Sequence, residues 1–132
     1  MKKIGQVLID SERTRVQTTG RLTRLNNKHE IESYCALGAL GCEVNILTKE
    51  TPIVSNYATI LLAYGLDSQL KKSVKSQHSL DDKSKNEYDD LDDLIVHYND
   101  SLHWSFKKIG MKLLNLQKRG YFKRIRGVGI AK

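Results

Sequence analysis

Acidic residues are missing altogether from Lys107 to Lys132, a stretch that carries nine basic ones. Cysteine is scarce too, with Cys35 and Cys42 the two examples. They lie seven apart in a segment read as helix, about 10 Å along its axis. A disulfide needs Cα atoms within about 7 Å, so they are not expected to pair with each other. Apolar neighbours make them small buried hydrophobes instead. No run of about 18 apolar residues is present, which excludes a membrane-crossing helix. Met1-Lys2-Lys3-Ile4 opens like a signal peptide, but Gln6, Asp10 and Glu12 interrupt the apolar stretch one requires. The expected compartment is the cytoplasm. Walker loops, dinucleotide fingerprints and paired-cysteine zinc ribbons are absent as well.

What is there has the balance of a globular domain, 39% apolar and 28% charged. A chain of 132 residues fits one domain and buries roughly two-thirds of its unfolded surface without a staple. The net charge of +7 is unevenly spread. Residues 1–28 hold seven basic and two acidic side chains, and residues 81–100 hold eight acidic and two basic. Such asymmetry points to a polyanion partner or to opposite faces pairing within the molecule.

Apolar spacing organises the chain into helices. Ile4, Val7 and Leu8 share one face of a helix from Lys3 to about Arg13. Thr14, Val16, Thr18 and Thr19 are β-formers, and with Gly20 they fit either a small β-hairpin near residues 14–25 or an irregular loop. A second helix is expected from Ser33 as N-cap, with Tyr34, Leu37, Leu40 and Val44 on one face. Its opposite stripe, Cys35, Gly38, Ala39 and Cys42, is all small. Interior glycine forfeits about 1 kcal/mol relative to alanine, so another backbone is expected to approach closely and make this the central buried helix. Ser55 caps a third helix through Tyr64, and Gly65 stops it. Residues 67–88, polar apart from Leu70, Val74 and Leu80, read as a mobile surface loop, with room for a weak helical turn where Leu70 and Val74 stand four apart. Leu91, Leu94, Ile95 and Tyr98 then mark an amphipathic helix, whose first turn of aspartates suits the positive end of its dipole. Ser105 caps the last helix, with Phe106, Ile109, Leu113 and Leu116 inward and Gly120 as its stop. The expectation is an all-α fold: a compact bundle of about five helices over residues 1–120, followed by a basic tail, 121–132.

Three constellations bear on chemistry. His29, His78, His97 and His103 share no ligand spacing with the cysteines, so neither metal nor cofactor is expected. Cys35 with His97 and Asn99 has the residue types of a thiol hydrolase. Activation needs a polar, partly exposed thiolate, however, and Cys35 sits in an apolar helix. Basic residues interleaved with aromatics are the better candidate. Lys107, Lys108, Lys112, Lys118, Arg119, Tyr121, Phe122, Lys123, Arg124 and Arg126 combine phosphate contacts with stacking rings. Arg13, Arg15, Arg21 and Arg24 extend that surface if the ends of the chain meet. No helix-turn-helix or RNP sequence accompanies them, so such binding would be directed to the backbone and sensitive to salt.

A longer pattern joins these pieces. Gln17-x-x-Gly20-x-Leu22 precedes Tyr34-Cys35-Ala36-Leu37-Gly38-Ala39-Leu40, then come Gly65-Leu66, Tyr98-Asn99-Asp100 and Ser105-Phe106-Lys107-Lys108-Ile109. Over roughly residues 15–116 this resembles a family of small uncharacterised phage and bacterial proteins. Many of those have adjacent cysteines where this chain has Tyr34-Cys35, and the polar insert and basic tail are extra. The resemblance implies a shared fold and a viral or mobile-element accessory role. Gln17, Gly20, Cys35, Gly38, Asn99, Asp100 and Ser105 read as structural, or as the lining of a pocket. The leading expectation is a non-enzymatic accessory protein that modulates a host or viral complex by protein contact. A sequence-tolerant nucleic-acid binder is the alternative, and a cysteine-dependent enzyme is the remote one.

Overall fold

The computed structural model describes residues 2–76 and 86–125. Helix α1 (Ile4–Ser11) is followed by a hairpin of β1 (Thr23–Leu25) and β2 (Ile31–Tyr34). Helices α2 (Ala36–Glu43) and α3 (Ala58–Ala63) lead to a second hairpin, β3 (Gln69–Ser76) and β4 (Asn86–Asp90). Helix α4 (Leu91–Val96) runs directly into a π-helical turn, His97–Ser101, and α5 (Phe106–Lys118) follows. Both hairpins are antiparallel two-stranded sheets.

The all-α expectation is therefore overturned: the fold mixes five α-helices with two small sheets. Two local ambiguities explain the error. Leu70 and Val74 have the i, i+4 spacing of a helical turn, but that spacing also falls on one face of a strand, whose period is two. The second solution holds, so β3 and β4 occupy much of the segment expected as a loop. Residues 77–85 of that segment lie outside the described ones. Ser33, expected to cap a helix, sits buried in β2 instead, and its hydroxyl has no partner among the described residues. The cap is Cys35, whose Sγ accepts from the Gly38 N–H at 3.3 Å. The first hairpin also lies later than residues 14–25. The β-formers before it run beside its second strand, where Tyr34 N donates to Val16 O at 2.8 Å and Thr18 N to Tyr34 O at 2.7 Å.

Helical periodicity was the sounder guide to the core. Ile4, Val7 and Leu8 of α1, Leu91, Leu94 and Ile95 of α4, and Phe106, Ile109, Leu113 and Leu116 of α5 are all buried. Each such side chain contributes on the order of 1.5–3 kcal/mol. The central helix is α2, with Ala36 through Gly41 all buried. Its small stripe meets the expected backbone, since a Cβ on Gly38 would collide with the carbonyl of Leu22. α1 and α5 pack antiparallel: Lys107 N donates to Glu12 Oε2 at one end, 3.1 Å away, and Lys2 and Lys3 lie beside Gln117 at the other. Glycines face each other at this crossing, where a Cβ on Gly5 would stand 2.5 Å from Gly110 O.

Beyond α5 the chain stays attached through Ile125. Phe122 is 2% exposed. Lys71 N of β3 donates to Tyr121 O at 2.9 Å, and Ile125 N donates to Gly65 O at 2.7 Å. Residues 121–125 thus run beside Gly65 to Lys71, meeting β3 at Lys71, while β4 pairs with β3 itself. The remainder of the expected tail, including Arg126, lies outside the described residues.

Candidate functional site

The motif residues converge on one polar clasp. A loop, residues 17–20, meets the π-helical turn and the N-termini of α2 and α5. Gln17 Nε2 donates to Asn99 Oδ1 at 2.8 Å and to the Trp104 carbonyl at 2.7 Å, while its Oε1 accepts from Phe106 N at 3.0 Å. Asn99, 1% exposed, also accepts from Ala36 N at 3.1 Å and donates to Thr18 O and Asp100 Oδ1 at 2.9 and 2.8 Å. Asp100 Oδ1 receives Gly20 N at 3.1 Å, and Gly20 holds a φ of +82° that suits glycine. Ser105 Oγ caps α5 by accepting from Lys108 N at 3.1 Å. Both donors and both acceptor positions of the Asn99 amide are filled from within the chain. The set ties four segments together and leaves that amide no capacity for a ligand.

The thiol of Cys35 is buried beside the clasp, and burial raises its pKa to about 11. A reactive cysteine requires the opposite shift. Its proposed partners are engaged elsewhere: His97 Nδ1 shares a 2.8 Å hydrogen bond with the Tyr88 hydroxyl, and Asn99 belongs to the clasp. Cys42, on the same helix, is half-buried. Among the described residues no group of three or more His, Cys, Asp or Glu side chains could hold a metal ion.

The basic candidates divide between the two ends of the α1–α5 pair. Arg13, Lys107 and Lys108 lie at one end, where the Lys108 ammonium stands 4.4 Å from the Trp104 ring centroid. Arg15 is committed to Glu43, at 3.3 Å, and to the face of Tyr34. Arg21 and Arg24 are exposed around β1, and Lys112 is half-buried midway along α5. Lys118, Arg119, Tyr121, Phe122, Lys123 and Arg124 occupy the other end, roughly 16 Å from Lys107 at 1.5 Å per residue. The chain termini do approach each other here, through Lys2 and Lys3 beside Arg124, not through Arg13 to Arg24. Phe122 is spent in the core, and its face is not available for stacking.

What the sequence concealed is the contribution of β3. Lys71 is held against the chain after α5 by its backbone, and with Lys123 it lines one cleft. The proximity of that like charge lowers the pKa of Lys71. One residue along, Tyr121 is flanked by Lys72, 6.0 Å from its ring centroid, and by Arg119 at 5.3 Å. Beside this strip opens a cleft of about 620 Å³, lined by Lys71, Lys123 and Arg124, with Leu70 and Phe122 beneath. Lys71 and Lys72 looked like loop lysines, and only the pairing of β3 brings them to the site. On the far side of the hairpin, Glu87, Asp89, Asp90 and Asp93 line a separate acidic depression.

No protein-family model matches the chain, and no curated protein or solved structure does so either. No helix of the described residues is long and apolar enough to cross a membrane.

Proposed function

We propose that this protein binds the phosphate backbone of nucleic acid through the basic strip where β3 meets residues 121–125. The observation that carries this reading is the backbone pairing of Lys71 with Tyr121, which gathers Lys71, Lys123 and Arg124 on the rim of one cleft. Two exposed ammonium groups brought together cost electrostatic energy in the free protein, and an anion between them relieves it. Arg124 lines the same cleft and Lys72 and Arg119 flank the neighbouring Tyr121, so about five cations lie along one strip. Such a surface binds by counterion release and shows little preference for sequence. Kinship with accessory proteins of phage or mobile elements, implied by the motif order, is compatible with this role.

Fluorescence anisotropy with labelled oligonucleotides between 50 and 300 mM salt tests the proposal. Five phosphate contacts at a slope of about −0.7 each predict a loss of roughly 500-fold across that range. Lys123→Gln reduces the slope by about one contact. Absence of binding at 50 mM salt rejects the proposal. In that event the protein-contact reading takes its place, supported by the exposed Leu62 and Ile125, which line a shallow apolar cleft with Leu66.

A further inference from the structure

The cleft beside the basic strip has a form that phosphate binding alone does not require. A duplex offers phosphates on a broad convex cylinder and keeps its bases stacked inside. A flat or ridged basic face would serve it, and a recess with an apolar wall would stay empty. Here the recess is about 620 Å³, within the roughly 300–1,000 Å³ range of small-molecule sites. Ile125, 42% exposed, gives it an accessible apolar wall, and the buried Leu70 and Phe122 lie beneath. Cations occupy the rim: Lys71 on the strand, Lys123 and Arg124 on the chain that follows α5.

The mouth also carries groups suited to the edge of a base. Gln69 and Asp67 line it, and Asp67 Oδ1 is fixed by accepting from Gln69 N at 3.0 Å. A carboxylate repels phosphate but accepts from amino and imino groups of nucleobases. Asp67 and Gln69 therefore add groups to the lining that phosphate does not call for.

From this geometry we infer that the cleft takes an unstacked base of single-stranded nucleic acid, with its neighbouring phosphates on Lys71, Lys123 and Arg124. This rests on the proposed phosphate-binding reading and narrows it to one strand form. The exposed side chain of Ile125 supplies an apolar contact that any base can use. Asp67 and Gln69 add a weaker preference for bases presenting donors.

Anisotropy at 50 mM salt with four labelled probes tests the inference: a 12-nucleotide thymidine strand, the corresponding uridine strand, a 12-base-pair duplex, and a thymidine strand bearing abasic sites throughout. At least one intact single strand is expected to bind several-fold more tightly than the duplex, and the abasic strand to lose a similar factor. The DNA and RNA strands between them identify which sugar is accepted. Ile125→Ala, at an exposed position, is expected to weaken the intact strand several-fold while leaving the abasic strand and the thermal midpoint unchanged. Equal affinity for duplex, intact and abasic strands overturns the inference but leaves the basic strip as a phosphate site. No binding of any probe overturns both.

Discussion

Replacing Asn99 by alanine isolates the clasp from everything around it. The side chain makes four hydrogen bonds, to Gln17, Ala36, Thr18 and Asp100, and is 1% exposed. At a net value near 1 kcal/mol each, their removal costs about 4 kcal/mol. The Ala36 N–H is the most expensive loss, because Ala36 is fully buried and water cannot replace the amide oxygen. The groups around Thr18 and Gly20 lie nearer to solvent and recover part of their share. The expected destabilisation is about 3–5 kcal/mol, a large fraction of the roughly 5–15 kcal/mol typical of a domain. Urea unfolding followed by circular dichroism measures it, with an unchanged m-value showing that the native state is still compact. Two further variants assign the cause. Asn99→Asp keeps the volume and the acceptors but loses both donors and sets a second carboxylate beside Asp100. A similar cost there attributes the effect to hydrogen bonding, since no cavity is made. Gln17→Ala combined with Asn99→Ala costs less than the sum of the two, because they share one bond. If Asn99→Ala lowers stability by under 1 kcal/mol, the clasp does not organise the fold and the reasoning fails.

Gly5→Ala or Gly110→Ala forces apart the helices α1 and α5, and each is expected to lower stability by about 1–3 kcal/mol in the same urea assay. Cys35, with its pKa raised by burial to about 11, is expected to resist alkylation at pH 8 in the folded protein, where Cys42 reacts first, as peptide mapping by mass spectrometry can show. Because the folded thiol holds its proton to higher pH than an unfolded one near 9, folding loses stability as pH rises from about 9 to 11. Denaturation midpoints across that range, compared with those of Cys35→Ser, test the sign. Truncation after Gly120 removes the Phe122 anchor and the pairing with Lys71. It is expected to lower the thermal midpoint, and full retention of stability would show that residues 121–125 are not part of the domain.

The contrast between what sequence patterns disclosed and what they hid follows from physical range. Spacing of Ile4, Val7 and Leu8, or of Phe106, Ile109, Leu113 and Leu116, reports a helix face directly, because neighbours on that face are local. Caps are equally local, as Ser105 shows. β3 and β4 were illegible for the opposite reason. Asn86-Glu87-Tyr88-Asp89-Asp90 has little strand propensity, and it is held by hydrogen bonds to a segment that the chain order alone does not identify. The motif residues were legible as a set but not as a network, since nothing local says that Gln17 and Asn99 are partners. The basic surface was half legible. Lys123 and Arg124 stood out in an acid-free run, whereas Lys71 and Lys72 were lost among loop-like neighbours, and Gly5 and Gly110 gave no signal of their crossing.

The clasp also sets when the protein can acquire its structure. Gln17 is 82 residues from Asn99 and 89 from Phe106, and α1 finds its main partner in α5, near the other end of the described chain. Contacts this distant in sequence slow folding, since a large loop must close before they give any return. On the ribosome, at about 5–20 residues per second, some 5–20 seconds separate the synthesis of Gln17 from that of Phe106. Throughout that interval α1 exposes Ile4, Val7 and Leu8 with no α5 to cover them. A nascent chain halted before residue 106 is thus a natural client for a chaperone, and synthesis of α5 is the step that lets α1 be covered.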